Sequence, residues 1–237
     1  SSEYHLPYQA TVGLNKHAAI MHHKNLNEQR LSVLNSFLID AGATFNGYAA
    51  DICRTYAYRD GRFAEMVNAL DLIQQALVNH LTIGSHYIDS ANRTMHLLAS
   101  LLKEFQIINL EPDAAVELDI IKYFMPHNVS HFLGLQVHDV GGNQADITGA
   151  TIDPDQPKHK MRRLIESGQV LTVEPGIYFI DCLLKSLSKS EYSNLINWDR
   201  IEALIPYGGI RIEDNILITP EGPVNFTRQA FDDYRGL

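Results

Sequence analysis

Residues 31–59 read LSVLNSFLIDAGATFNGYAADICRTYAYR, two alternating runs on either side of Asn46-Gly47. Alternation of apolar and polar residues is the period of a half-buried strand, and Asn-Gly is the strongest two-residue hairpin signal. The pattern predicts a β-hairpin. Two aspartates do not belong in such a hairpin on packing grounds alone. Asp40 and Asp51 end or interrupt apolar runs, where an unpaired carboxylate is penalised by lost hydration. Folding about Asn46-Gly47 puts Asp40 opposite either Asp51 or Cys53, and in both registers the two aspartates share a face as direct or diagonal neighbours. Like charges so placed repel, and the arrangement makes sense when a cation lies between them or they share a proton.

The anomaly recurs near the C-terminus. Glu174 in VLTVEPG and Glu213 in GIRIEDN are again carboxylates inside β-branched runs. Arg211, two residues before Glu213, shares its strand face and is expected to orient it, whereas Asp214 points the other way and reads as structural. A third signal is HNVSHFLGLQVHDVGG, which places His127, His131 and His138 within twelve residues, each beside Gly, Asp or Pro or close to one. Four carboxylates and one imidazole suit two divalent ions bridged by carboxylates and a hydroxide, and oxygen-rich coordination favours Mn2+. One histidine serves as ligand, and the other two are left to donate hydrogen bonds or shuttle protons.

Outward from these residues, the apolar positions Phe63, Met66, Val67, Leu70, Ile73 and Leu77 fall at helical spacing, and the pattern stops near Gly84. A second helix is expected from an N-cap at Ser90 through Met95, Leu98, Leu102 and Phe105. The last third returns to strand-like runs, GQVLTVEPGIYFI, IRIEDNILIT and PVNFTR, interrupted by a polar stretch from Lys185 to Arg200. Strands, then helices, then strands predict an α+β domain with a mostly antiparallel sheet.

At 237 residues, with 45% hydrophobic and 20% charged residues, the composition is that of one globular domain. The net charge of -9 argues against a nucleic-acid partner, which needs clustered Lys and Arg. No apolar run is long enough to span a membrane and no secretory pattern opens the chain, so a cytoplasmic protein without membrane contact is expected. Cys53 and Cys182 have no metal-site spacing and read as reduced, half-buried thiols.

Taken together, NKHAAIMHH, DAGATFNGYAAD, MPHNVSHFLGLQVHDVGG, VLTVEPGIYF and GGIRIEDN resemble, in order and spacing, the pita-bread metallopeptidases. Within them the chain is similar to the bacterial Xaa-Pro dipeptidases, or prolidases, and their organophosphorus-acid anhydrolase relatives. The resemblance runs from residue 15 to residue 228, and the gap of 39 residues between Glu174 and Glu213 looks like that of prolidases. It implies a curved, mostly antiparallel sheet with helices on its outer face, and five metal ligands: Asp40, Asp51, His131, Glu174 and Glu213. The implied cofactor is two divalent ions per subunit, Mn2+ first, with Co2+ or Zn2+ as alternatives.

The implied reaction is hydrolysis of a dipeptide with C-terminal proline by a metal-bridging hydroxide, with Glu174 moving the proton and His138 and His127 stabilising charge or holding substrate. Arg211 matches an arginine held against the metal-site carboxylates, and His22 a further histidine of the active site. The family places an arginine fourteen residues before the ligand glutamate to hold the substrate carboxylate. Here that position is Lys160, which lacks the bidentate fork, with Arg162 nearby as a substitute. His23 stands where relatives often carry Tyr, and Asn128 and Ser130 where they often carry Gly. The opening SEYHLPYQA reads as the tail of a preceding segment, so residues 1–237 are expected to be the catalytic domain without the N-terminal prolidase domain, and the full-length protein a homodimer. Alternative readings are an aminopeptidase P-like or phosphotriester-hydrolysing enzyme, and a non-catalytic pita-bread binding module.

Overall fold

The structure, a computed structural model, describes residues 6–23, 31–150 and 163–236. It opens with strands β1 (Thr11–Leu14), β2 (Ser36–Ala41), β3 (Thr44–Phe45), β4 (Tyr48–Ala49) and β5 (Ile52–Ala57). β2 lies between β1 and β5 in an antiparallel sheet, and β3 and β4 form the hairpin tip. Asn46 and Gly47 turn that tip with φ of 51° and 84°, as a primed turn requires. The turn also fixes the register. Phe45 faces Tyr48, Thr44 faces Ala49, and the same in-step pairing continues to Asp40 opposite Cys53. Of the two registers left open by the sequence, the Cys53 one is realised.

Helix α1 (Arg62–His80) buries Phe63, Met66, Leu70 and Leu77, and α2 (Tyr87–Glu104) buries Leu98, Leu101 and Leu102. α2 begins before the expected cap at Ser90. The Asp89 carboxylate accepts a hydrogen bond from the His86 backbone N–H at 3.2 Å, which fixes the helix start one turn earlier and leaves Ser90 inside it. A short α3 (Pro112–Glu117) follows.

The second half contains β6 (Val170–Val173), β7 (Gly176–Tyr178), α4 (Asp181–Ser188), α5 (Trp198–Leu204), β8 (Gly209–Arg211), β9 (Asp214–Thr219), β10 (Gly222–Asn225) and α6 (Phe226–Arg235). β10, β9 and β6 make a second antiparallel sheet, and β7 pairs with β8. The polar stretch 185–200 thus includes parts of two short helices, which bury Leu184, Leu187, Ile201 and Leu204. PVNFTR is strand only as far as Asn225, whose side chain accepts from the Arg228 N–H at 3.0 Å and caps α6. Cys53 is fully buried and Cys182 exposed, rather than both half-buried.

The first sheet joins the second half edge to edge at one strand pair. Cys53 and Glu213 pair in antiparallel fashion, with Glu213 N–H donating to the Cys53 carbonyl at 3.0 Å. Because directly paired residues point to the same side of a sheet, Thr11, Asp40, Cys53 and Glu213 form one row across the strands. Ile210, Ile212, Leu171, Val173 and the apolar faces of α1 and α2 form the core. Among the described residues no helix is long and apolar enough to cross a membrane.

Candidate metal centre

Strand alternation delivers the charged side chains. Asp40 and Glu213 lie in the row, Asp51 is two residues from Cys53, and Arg211 two residues from Glu213, so all share a face by period two. His131 and Glu174 join them from the segment beside β6. Thr172 N–H donates to the His131 carbonyl at 2.9 Å, and Glu174 N–H to that of Val129 at 2.8 Å. The result is a cavity of about 470 Å³ lined by all five expected ligands.

Asp51, His131 and Glu213 offer ligand atoms within 4.8 Å of one another, all from buried residues. His131 Nε2 lies 3.5 Å from Asp51 Oδ2, 3.5 Å from Glu174 Oε1 and 3.8 Å from Glu213 Oε1. Asp40 is held by Arg211, whose other Nη donates to the Tyr178 hydroxyl at 2.9 Å. Arg211 Nε reaches only 3.8 Å from Glu213 and makes no hydrogen bond, so Arg211 grips Asp40 more firmly than the carboxylate it was expected to orient.

The remaining histidines occupy the wall. His127 Nδ1 is 2.8 Å from the Asn128 carbonyl and Nε2 is 3.0 Å from the Tyr178 hydroxyl. Nδ1 donates to that carbonyl, and Nε2 shares a hydrogen with the Tyr178 hydroxyl, which also accepts from Arg211. His127 also approaches Glu174 at 3.6 Å. The exposed ring of His138 meets that of His131 edge-on, with centroids 4.5 Å apart. His22 lies on the cavity rim. Lys160 and Arg162 fall outside the described residues.

Besides Tyr178, three further residues assigned no role from the sequence complete the site. The Tyr8 hydroxyl contacts Asp40 at 2.7 Å and Asp51 more closely still. Its single proton serves one carboxylate at a time, and burial together with Asp51 and Asp40 keeps it un-ionised. Asn215 clamps the Asp51 backbone, accepting from its N–H at 3.0 Å and donating to its carbonyl at 2.8 Å. Thr172 Oγ1 accepts from the His131 N–H at 3.1 Å and reaches toward Glu174 at 3.4 Å.

Charge in this pocket is unbalanced. Five carboxylates, Asp40, Asp51, Asp139, Glu174 and Glu213, line it with one guanidinium among the described residues. Burial raises the Asp40 pKa, whereas at Asp51 hydrogen bonds from His131 and Tyr8 outweigh burial and lower it. Burial pushes Glu174 up to about 7, with Asp51 and Asp40 adding to the rise against His131 and Arg211. Glu213 is driven well above the usual carboxylate range by burial and by Glu174 and Asp51. His131 moves up because Asp51 and Glu174 outweigh the burial that opposes its charge. Carboxylate oxygens with one imidazole, buried and in negative excess, are the donor set of a divalent cation.

What the fold and the cavity define is an α+β domain with a buried donor set suited to a divalent cation. The chain belongs to metallopeptidase family M24, whose model matches residues 2–220. It is 44% identical over 228 residues to an Xaa-Pro dipeptidase of Aeromonas hydrophila subsp. hydrophila, covering 94% of this chain and 52% of that protein. It is 45% identical to an Xaa-Pro dipeptidase of Pseudoalteromonas haloplanktis, covering 98% and 53% respectively. The chain thus spans about half the length of the curated relatives it matches. Among solved structures, Escherichia coli aminopeptidase P with the inhibitor Pro-Leu superposes with a TM-score of 0.73 at 26% identity, over 96% of this chain and 46% of that one. The architecture is the α+β pita-bread fold.

Proposed function

We propose that this chain is the catalytic part of an Xaa-Pro dipeptidase, holding two divalent ions, Mn2+ first, with Asp40, Asp51, His131, Glu174 and Glu213 as their ligands. The observation that carries the reading is the excess of buried carboxylate on one face of the cavity, which no described side chain neutralises. Bound divalent cations supply an acidified water as nucleophile and polarise the scissile carbonyl.

The chain's own residues do the rest. Glu174, beside His131 and His127 on the cavity wall, takes a proton from the attacking water and returns it to the leaving imino nitrogen. His127, fixed by Tyr178 and the Asn128 carbonyl, presents its ring beside Glu174. With His138 it holds the substrate and stabilises negative charge on the carbonyl oxygen. Arg211 acts through Asp40, keeping that carboxylate oriented. Lys160 or Arg162 receives the C-terminal carboxylate of the dipeptide. The family resemblance supports extending the reading to a cytoplasmic protein with residues 1–237 as its catalytic domain and a homodimer as its full-length form.

The sequence relatives at 44–45% identity favour the dipeptidase over the aminopeptidase P specificity suggested by the structural neighbour at 26%. Proline release from Leu-Pro and Gly-Pro, compared with cleavage of Gly-Pro-Ala, all in Mn2+, tests it. Dipeptide hydrolysis with little tripeptide cleavage is expected. Preference for the tripeptide, or inert behaviour toward both, would count against the dipeptidase.

A further inference from the structure

The segment after β1 carries three histidines, of which only His22 has been given a role. The other two, His17 and His23, stack with centroids 4.7 Å apart and planes 16° from parallel. His23 Nδ1 lies 3.1 Å from the Val12 carbonyl oxygen, so it carries a hydrogen and donates, tying the far end of the segment to β1. The near end is tied by close packing. A Cβ on Gly13 would come within 2.8 Å of Ala18 Cα, so the 3-10 turn Asn15–Ala19 rests directly on the strand. Between these two fastenings Met21 and His22 face the cavity and form part of its wall.

The clasp is thus a stack of two imidazole rings, the side-chain type whose charge state is set by pH in the physiological range. Two neutral imidazoles stack favourably, whereas two imidazolium ions at that distance repel. Among the described residues, Lys16 is the other charged neighbour acting on His17. Of the elements packed on the turn, β1 carries no titratable side chain, β2 carries Asp40 and β8 Arg211, which are bonded to each other, and the turn at 205–207 carries Tyr207, stacked on Phe63. Burial first, and then His23 and Lys16, hold His17 below the ordinary histidine value. A lowered basic group leaves the closed form unaffected at high pH and disfavours it as pH falls through the unfolded value, about 6.5.

We propose that the His17–His23 stack is an acid-released clasp that positions Met21 and His22 on the cavity wall, so that its protonation weakens substrate binding without disturbing the metal ligands. The part concerning substrate rests on the dipeptidase reading; the clasp itself does not.

Nuclear magnetic resonance between pH of about 8 and 5 tests it on the whole chain, with the Met21 methyl and the histidine Cε1–H signals as reporters. In the unsubstituted protein the Met21 methyl should shift in step with His17 and His23. In His23→Phe and in His17→Phe, which keep a stacked ring that cannot charge on one side, that shared transition should vanish. A Met21 signal indifferent to the histidine titration, or one whose transition survives in both variants, overturns the clasp. In parallel, KM for Leu-Pro should rise several-fold as pH falls in the unsubstituted protein and stay flatter in His17→Phe, which keeps the His23 bond to Val12, with kcat the same in both at pH 8. An unchanged KM profile in His17→Phe also counts against the clasp. Absence of hydrolysis in every protein would overturn the dipeptidase reading and leave the resonance data to decide the clasp.

Discussion

Glu213 and Asp214 are adjacent in the chain and almost equally buried, at 1% and 0% exposure, yet they sit in opposite electrostatic company. Asp214 points to the helix side, where it accepts from Arg54 Nη2 at 2.5 Å, Asn225 Nδ2 at 2.8 Å and Arg228 Nε at 2.8 Å. Arg228 goes on to Asp71 at 2.7 Å, so two carboxylates meet two guanidinium groups. Glu213, one residue earlier and on the cavity side, has Asp40, Asp51 and Glu174 in its cavity and a guanidinium nitrogen only at 3.8 Å. A buried charge is tolerated when partners and hydrogen bonds replace its water. The helix side meets that condition with the protein's own groups, and the cavity side meets it by taking up protons at Glu174 and Glu213 or by binding a cation. The contrast separates a structural cluster from a functional one within a single dipeptide.

The contrast can be broken most directly by swapping one amide into each side. Glu213→Gln should lower kcat/KM by at least about 10³-fold, equivalent to ~4 kcal/mol, while its metal-free form withstands urea as well as the unsubstituted protein or better. A large loss of metal-free stability would show that Glu213 is structural after all. Asp214→Asn should do the reverse. It leaves Arg54 and Arg228 under-compensated and should cost ~3 kcal/mol in urea denaturation with metal content retained.

Acidity sharpens the comparison at the next level. Glu174, Glu213 and His131 all have folded pKa values raised above the unfolded ones. The folded state therefore binds more protons, and metal-free stability should fall as pH rises from about 5 to about 8, by on the order of 2 kcal/mol. Urea midpoints in a chelator measure this, and added divalent metal should flatten the dependence. Stability that rises over the interval would mean the cavity carboxylates are compensated within the chain. The smallest effect is expected at Tyr8→Phe, which removes the hydroxyl between Asp40 and Asp51. Metal affinity should drop by about 10-fold, measured by calorimetry, and an unchanged affinity would make Tyr8 a bystander.

The cavity side was legible in the sequence because a carboxylate in an apolar strand breaks a pattern. Asp40, Asp51, Glu174 and Glu213 each stand out against Val, Ile or Leu neighbours. Their common face followed from period two, although the register needed the two-residue turn carried through to Asp40 and Cys53. Tyr8 was not legible. It precedes β1 in a stretch without periodicity and is 32 residues from Asp40 in the chain. Asn215 and Thr172 are ordinary strand residues whose roles come from hydrogen bonds to backbone, which composition does not mark. At the ends of helices the signals were present but competed. Asp89 set the start of α2 ahead of Ser90, and Asn225, inside a strand-like run, capped a helix.

The central claim is that the cavity side lacks enough cationic partners of its own among the described residues and takes up divalent ions in their place. Elemental analysis after dialysis from Mn2+, on this chain and on Asp51→Ala, tests it most directly. Nearly two ions per chain, lost in whole or in large part in Asp51→Ala, is the predicted result. No stoichiometric metal in the unsubstituted chain would contradict it.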